Sequence, residues 1–411
     1  MLLIRVVSQI PLPGVNMDYA KTAFSMKGLQ FFHVLTGESL TKMSLFALSI
    51  SPYITASIIL QLLGILIPSI EEWEKEGKTG QEKMEQWNLI LALGFSVFQS
   101  LFMAIGLGKQ GLLHTYTWWS VLYVTIAWTA GAGILIWTGN WITKLQLGSG
   151  ISYILLFNIL STLPSDLHTI YEVLMKHKNI PVQCVRGVII AAVFSIILVI
   201  CIILHLSVRK IPLTFSRKIQ EFHVNQDLSI PLQVCGVMPI IFSGSLMSFP
   251  ILISNFLPNV TWLRNVSMYL NEGNWFVWET PLYSFGVVLY IGLTIFFAFF
   301  YLDISYNSYE VANQLKSQGA IIPGIRSGKT TQEYLQGIIR KIGLFGTGVM
   351  LLLILSMTFL CNTFGIGALS IGGISIVICV SILLDFGKAV YSETRAVKYT
   401  AASKFLFGGK E

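Results

Sequence analysis

Apolar positions along this chain come in long unbroken blocks, not at the intervals of two or 3.6 residues that mark half-buried strands and helices. Eight runs contain no Asp, Glu, Lys or Arg: 43–70, 86–108, 110–143, 145–165, 187–208, 228–263, 280–302 and 342–384. A helix that crosses a bilayer needs about 20 such residues. Seven runs therefore predict one span each. The run 342–384 is long enough for two, with Cys361-Asn362-Thr363 as the turn between them. The pattern predicts nine full spans. Ahead of them, MLLIRVVSQIPLPG has too few apolar residues before Arg5 for a tenth, and it lacks the apolar core of a signal peptide.

Pro52 in SISPYITASII and Pro239 in MPII lie early in their runs. Proline inside a helix removes a backbone hydrogen bond and clashes with the preceding turn. Each proline therefore predicts a break. Interrupted segments at corresponding places in two halves of a chain point to a functional site between repeats. Two unrelated kinks fit the pattern equally well, because membrane helices tolerate proline.

Composition agrees with the runs. The chain is 54% hydrophobic and 11% charged over 411 residues, against about 25% charged for a soluble domain. The fold class is an all-α polytopic membrane protein, one domain over 1–411. The loops 71–85, 144, 209–227, 303–341 and 385–411 carry 18 of the 27 Lys and Arg. The bias of basic residues towards the cytoplasm places those loops and the C-terminus inside. Glu outnumbers Lys in 71–85, but acidic residues weigh little in this rule. The net charge of +7 is dispersed over loops and does not predict nucleic-acid binding. The five cysteines lie in or beside apolar runs without a CxxC pair, and read as small core residues.

Candidate chemistry is sparse. PGIRSGKT at 323–330 resembles a phosphate-binding loop, but the first required glycine falls on Pro323, so it reads as a solvated turn. The six histidines show no i, i+4 pairing, and His205, at the end of a run, reads as interfacial. No metal or cofactor site is predicted, nor an enzyme. Ion-coupled transporters keep ionisable groups inside their spans. The runs here offer Ser, Thr, Gln, Gly and many Ile, which disfavours a small-solute secondary transporter, the alternative from a different class. A pathway lined this way can be gated by an apolar constriction.

At ALSISPYITASIILQLL, followed by EKEGKTGQEK, the chain resembles the SecY family of protein-conducting channels. LGSGIS (147–152), GAIIPGIRSG (319–328) and IGGISIVICVSILLDF (371–386) match that family in order, and RVVSQIPLPG looks like the segment after its first span. The resemblance implies ten spans in two pseudo-symmetric halves around an hourglass pore. Here those are 1–165, with only the remnant of a first span, and 187–388, followed by a cytoplasmic tail, 389–411. A start assigned too late would account for the short first span.

The resemblance also assigns roles. Ile50, Ile54, Ile151, Leu155, Ile241 and Ile378 take the positions of the apolar pore ring. Pro52 and Pro239 become hinges. The segment 28–41, with Phe31, Phe32, Val34 and Leu35, takes the place of the outer plug. The lateral gate falls between 43–70 and 86–108 on one side and 228–257 and 280–302 on the other. Arg326 matches the arginine that contacts the motor or ribosome, and Lys329 follows it in the same loop. The implied partners are a SecA-type motor ATPase, SecE-like and SecG-like small membrane subunits, an unfolded preprotein and the bilayer of the bacterial cytoplasmic membrane.

The chain departs from the family at the gate and the docking loops. Ser149 replaces the asparagine of GNGIS, LQVCGVMP lacks another gate asparagine, PGIRPG has become PGIRSG, and Gln81-Glu82 stands where a basic pair is usual. These departures resemble the accessory SecY of Gram-positive bacteria. That type serves a dedicated accessory SecA and exports a serine-rich glycosylated adhesin. The alternative is a housekeeping SecY for general secretion.

Overall fold

The computed structural model describes residues 2–17, 35–37, 39–75, 78–145, 148–175, 180–215, 227–256, 260–276, 281–363 and 373–406. A short helix α1 (Leu2–Ser8) precedes the turns of 39–50. The main helices follow: α2 (Ser51–Leu66), α3 (Pro68–Lys75), α4 (Lys78–Leu107), α5 (Trp118–Lys144), α6 (Gly150–Met175) and α7 (Ile180–Leu206). Then come α8 (Met238–Phe256), α9 (Thr261–Leu270), α10 (Phe285–Ser305), α11 (Ser308–Ser317), α12 (Lys329–Thr363) and α13 (Gly373–Leu406). Among the described residues seven helices are long and apolar enough to cross a membrane, and Ser51–Gly64 and Met238–Ser254 are shorter apolar helices.

Both short helices begin in the same way. Pro52 and Pro239 are each the second residue of their helix. Proline fits there because the first-turn N–H groups have no intrahelical partner and its φ is already helical. The prolines therefore start α2 and α8 and do not break helix interiors, which corrects the expected kink. The irregular part of the run 43–70 lies upstream, where Met43 (φ 45°) and Ser49 (φ 49°) adopt left-handed backbone. The prolines inside helices are Pro164 in α6 and Pro250 in α8.

Other expectations also need correction. Helix α12 runs through Cys361-Asn362-Thr363, which is therefore helix and not turn. The start of the run 228–263 is strand and turn, with β3 (Asp227–Pro231) paired antiparallel to β1 (Val208–Pro212). Helix α6 continues past its charge-free run and buries Asp166, so the spans are not free of carboxylates.

Packing between helices closes on itself. In order around the bundle, α2 meets α4, then α5, α6, α13, α12, α10 and α8, which returns to α2. One large apolar cluster fills the interior, with Met43, Trp128, Ile154, Tyr290 and Val377 almost fully buried in it. A second cluster forms at the end carrying the strands. There Ile211, Ile230, Leu302, Leu315 and Leu335 pack under β2 (Thr214–Phe215), β4 (Ala320–Ile321) and α11. The outer surface is apolar too. Trp118 and Trp119 at one end of α5 and Trp137 and Trp141 near the other are exposed, as at the two interfaces of a bilayer.

Candidate functional site

The six aliphatic residues expected in the pore ring are all buried. Ile50, Ile54, Ile151, Leu155, Ile241 and Ile378 all belong to the interior cluster, and none is more than 9% exposed. They come from four places. Ile50 immediately precedes α2, and its carbonyl accepts from the Ile54 N–H at 3.1 Å, which sets the pair one helical turn apart. Ile151 and Leu155 are four apart near the start of α6, on one face. Ile241 lies in the first turn of α8, bonded back to Val237 at 3.1 Å. Ile378 comes from α13. Helix α8 packs against both α2 and α4, the elements expected to form the lateral gate.

The segment leading to Ile50 is held by polar groups. Of the four residues expected in the plug, Leu35 is 1% exposed; Phe31, Phe32 and Val34 lie outside the described residues. The Asn158 side chain on α6 donates to the Leu35 carbonyl at 2.6 Å and to Ser49 Oγ at 2.9 Å. Arg5 of α1 donates to the Gly37 carbonyl at 2.6 Å and to the Ser161 carbonyl at 3.4 Å. Sequence reading missed Asn158, although it is the single asparagine in the run 145–165.

The loop with Arg326 is a solvated turn, as its spacing predicted. Gly324 (φ 81°) and Gly328 (φ 109°) bracket it, and Thr331 Oγ1 donates to the Arg326 carbonyl at 2.8 Å. Strand β4 just upstream pairs with β2. The side chains of Arg326 and Lys329 are exposed, with Lys329 opening α12.

His205 has partners that its position in the sequence did not show. It sits in the last turn of α7, is 4% exposed and belongs to a hydrogen-bonded cluster. Its Nδ1 meets Gln233 Oε1 at 3.1 Å and its Nε2 meets Asp385 Oδ1 at 2.8 Å. Gln233 Nε2 donates to the Gly236 carbonyl at 3.1 Å, and Lys388 Nζ to the His205 carbonyl at 3.2 Å. The cluster ties α7 and α13 to the turn that launches α8. Both His205 and Asp385 lie at margins of apolar runs, where sequence shows position but not partners. Cys201, Cys235 and Cys361 are buried free thiols. No cluster of metal-ligating side chains occurs among the described residues.

The SecY family model matches residues 44–387. The chain belongs to the SecY family. It is 32% identical to the protein translocase subunit SecY of Escherichia coli K12 over 98% of this chain and 91% of that protein. It is 30% identical to the SecY of Staphylococcus aureus NCTC 8325 over 100% and 94%. Solved structures share the fold. A protein-conducting channel superposes with a TM-score of 0.65 at 17% identity, covering 96% of this chain and 90% of that one. A SecY protein whose plug domain stabilises the closed channel gives 0.65 at 18% identity over the same shares. Sec61 from a canine ribosome–channel complex gives 0.64 at 16%, again over 96% and 90%. As a SecY, the chain is a multi-pass channel subunit of a protein translocase in the cytoplasmic membrane, and not an enzyme.

Proposed function

We propose that Ile50, Ile54, Ile151, Leu155, Ile241 and Ile378 form the apolar ring of this channel, between an N-terminal half (1–165) and a C-terminal half (187–388). The observation that carries the reading is their common burial in one apolar cluster, although they come from four separate stretches of chain. A ring of flexible aliphatic side chains excludes water when the pore is empty and fits around an extended polypeptide of any sequence. Pro52 and Pro239 start the helices that carry two of its sides, and act as hinges there. The gate to the lipid opens where α8 faces α2 and α4. Leu35, with Phe31, Phe32 and Val34, belongs to the plug.

The loops rich in Lys and Arg, and the C-terminus, face the cytoplasm. Arg326 and Lys329 dock the motor. SecE-like and SecG-like subunits complete the channel. The departures at Ser149, at the Cys235 segment and in PGIRSG support an accessory SecY. Such a channel works with its own accessory SecA-type motor on serine-rich glycosylated adhesins.

Two experiments test this reading. A photoreactive residue at position 50 or 378 should cross-link to a preprotein stalled during export. A stalled chain that labels only lipid-facing positions such as 137 removes the ring. Deletion of the gene should abolish surface adhesin and leave the cells viable; a lethal deletion assigns the chain to general secretion.

A further inference from the structure

Ile50 is the one ring residue outside regular helix. Its position depends on how the turns of 39–50 are held. Those turns include two non-glycine residues in left-handed backbone, Met43 and Ser49, and Ser49 is the immediate neighbour of Ile50. Left-handed backbone costs a non-glycine residue of order 1 kcal/mol or more and persists only where the surroundings impose it. Ser49 is held by a side chain from α6, and the Met43 carbonyl accepts from the Leu12 N–H at 3.0 Å.

Asn158 is that side chain. Ile151, Leu155 and Asn158 follow one another at i, i+4 and i+7 along α6, so the face that carries two ring residues continues into this asparagine. Its Nδ2 bonds Ser49 Oγ and the Leu35 carbonyl, joining both to one point on α6. Gly37 closes the contact. A Cβ on Gly37 would lie 2.8 Å from Asn158 Cα and 2.9 Å from Ser161 Oγ, and its φ of +59° favours glycine. The Gly37 carbonyl accepts from Arg5 at 2.6 Å and from Ser161 Oγ at 3.5 Å. Ser39 and Ser49 are 2% exposed and Ser8 is 3% exposed. Together with Arg5, Asn158 and Ile154 they line a small recess that is partly open to solvent.

We propose that Asn158 and Arg5 are positioning residues of the seal: they clasp the segment 35–50 onto α6 and thereby hold Ile50 in the ring. The inference rests on the ring reading above. The clasp is polar and therefore reversible. Each of its hydrogen bonds can be exchanged for one to water when the segment moves, at a cost far below that of separating an equally buried apolar contact. A polypeptide entering the pore can release it without unfolding the bundle.

The test measures passive ion flux through vesicles containing the full-length protein, loaded with a chloride-sensitive dye. Asn158→Ala should raise the leak about tenfold, the factor expected for losing two hydrogen bonds of about 0.7 kcal/mol each. Ser49→Ala, a small change that leaves Asn158 its bond to Leu35, should raise it about threefold. Arg5→Gln should raise it as well. Ile50→Gly serves as the reference that opens the ring directly. Wild-type leak in Asn158→Ala and Ser49→Ala, with a leaking Ile50→Gly, overturns the clasp alone. Wild-type leak in all four variants overturns the ring and the clasp together. Should Asn158→Ala not assemble, Ser49→Ala and amide exchange of 39–50 carry the test, with faster exchange expected in that variant.

Discussion

His205 Nε2 and Asp385 Oδ1 lie 2.8 Å apart across 180 residues of sequence, and join the end of α7 to α13. The histidine is buried and the carboxylate is 62% exposed. Gln233 Nε2 is committed to the Gly236 carbonyl, so Gln233 presents its oxygen to the ring. Each ring nitrogen thus has a side-chain oxygen as its partner.

Removing the imidazole leaves the buried Gln233 side chain without its partner. His205→Ala should therefore destabilise the protein by about 1–3 kcal/mol. Asp385→Asn should cost less, about 1 kcal/mol or below, because the exposed carboxylate is screened by water. Thermal unfolding in detergent checks the order; an equal or larger effect of Asp385→Asn contradicts it.

Arg326 is exposed at a turn whose backbone is held by its own glycines and by Thr331. Reversing its charge should leave folding within about 0.5 kcal/mol of wild type. Export should fall at least about tenfold through lost docking, since like charges at an interface cost several kcal/mol. Arg326→Glu at normal membrane levels, with export measured in cells, decides it. Unimpaired export removes Arg326 from the docking surface.

Glu272 lies between α9 and α10, and burial pushes its carboxyl from an ordinary 4.5 up to about 7. The folded state then holds a proton that the unfolded chain releases, so stability falls as pH rises from about 4.5 through 7. The same turn is tied to α12 by Asn362, whose amide donates to the Glu272 carbonyl at 3.0 Å and to the Trp275 carbonyl at 2.7 Å. Glu272→Gln keeps the shape without the charge. It should flatten the pH dependence of unfolding between pH 5 and 8 and raise the midpoint at pH 8. A variant that retains the wild-type slope assigns the dependence to other groups.

Gly286 opens α10 against α9. A Cβ there would sit 1.9 Å from the Tyr269 carbonyl oxygen and 2.5 Å from Trp275 Nε1, which itself donates to Tyr269 at 3.0 Å. Backbone has no room to yield, so Gly286→Ala should cost about 1–3 kcal/mol. Gly292, with open space around its α-carbon on the same helix, is the control, and its alanine variant should be neutral or slightly stabilising. Melting midpoints of the two variants compare them directly.

Much of this protein was legible along the chain, because the bilayer imposes a requirement that sequence satisfies locally. A run such as 187–208 must be helix in lipid, since each backbone group needs an internal partner there. That argument did not reach the proposed ring: Ile50, Ile151, Ile241 and Ile378 were assigned by their motifs' resemblance to the SecY family. It did not fix where helices begin. Pro52 looked like a break within a span, and the structure makes it the second residue of α2, because the residues before it take left-handed turns instead of helix.

The sequence by itself determined the membrane class, the alternation of spans and loops, and the family, all properties of local composition and order. Only the tertiary structure decided what Asn158, His205 and Asp385 do. Their partners, Leu35 and Ser49, Gln233, and each other, are distant in sequence or lie on other elements. A lone polar residue in an apolar run announces that it must be satisfied, but the group that satisfies it is fixed by helix packing. That packing depends on close approaches such as Gly37 against Asn158, which no linear pattern encodes.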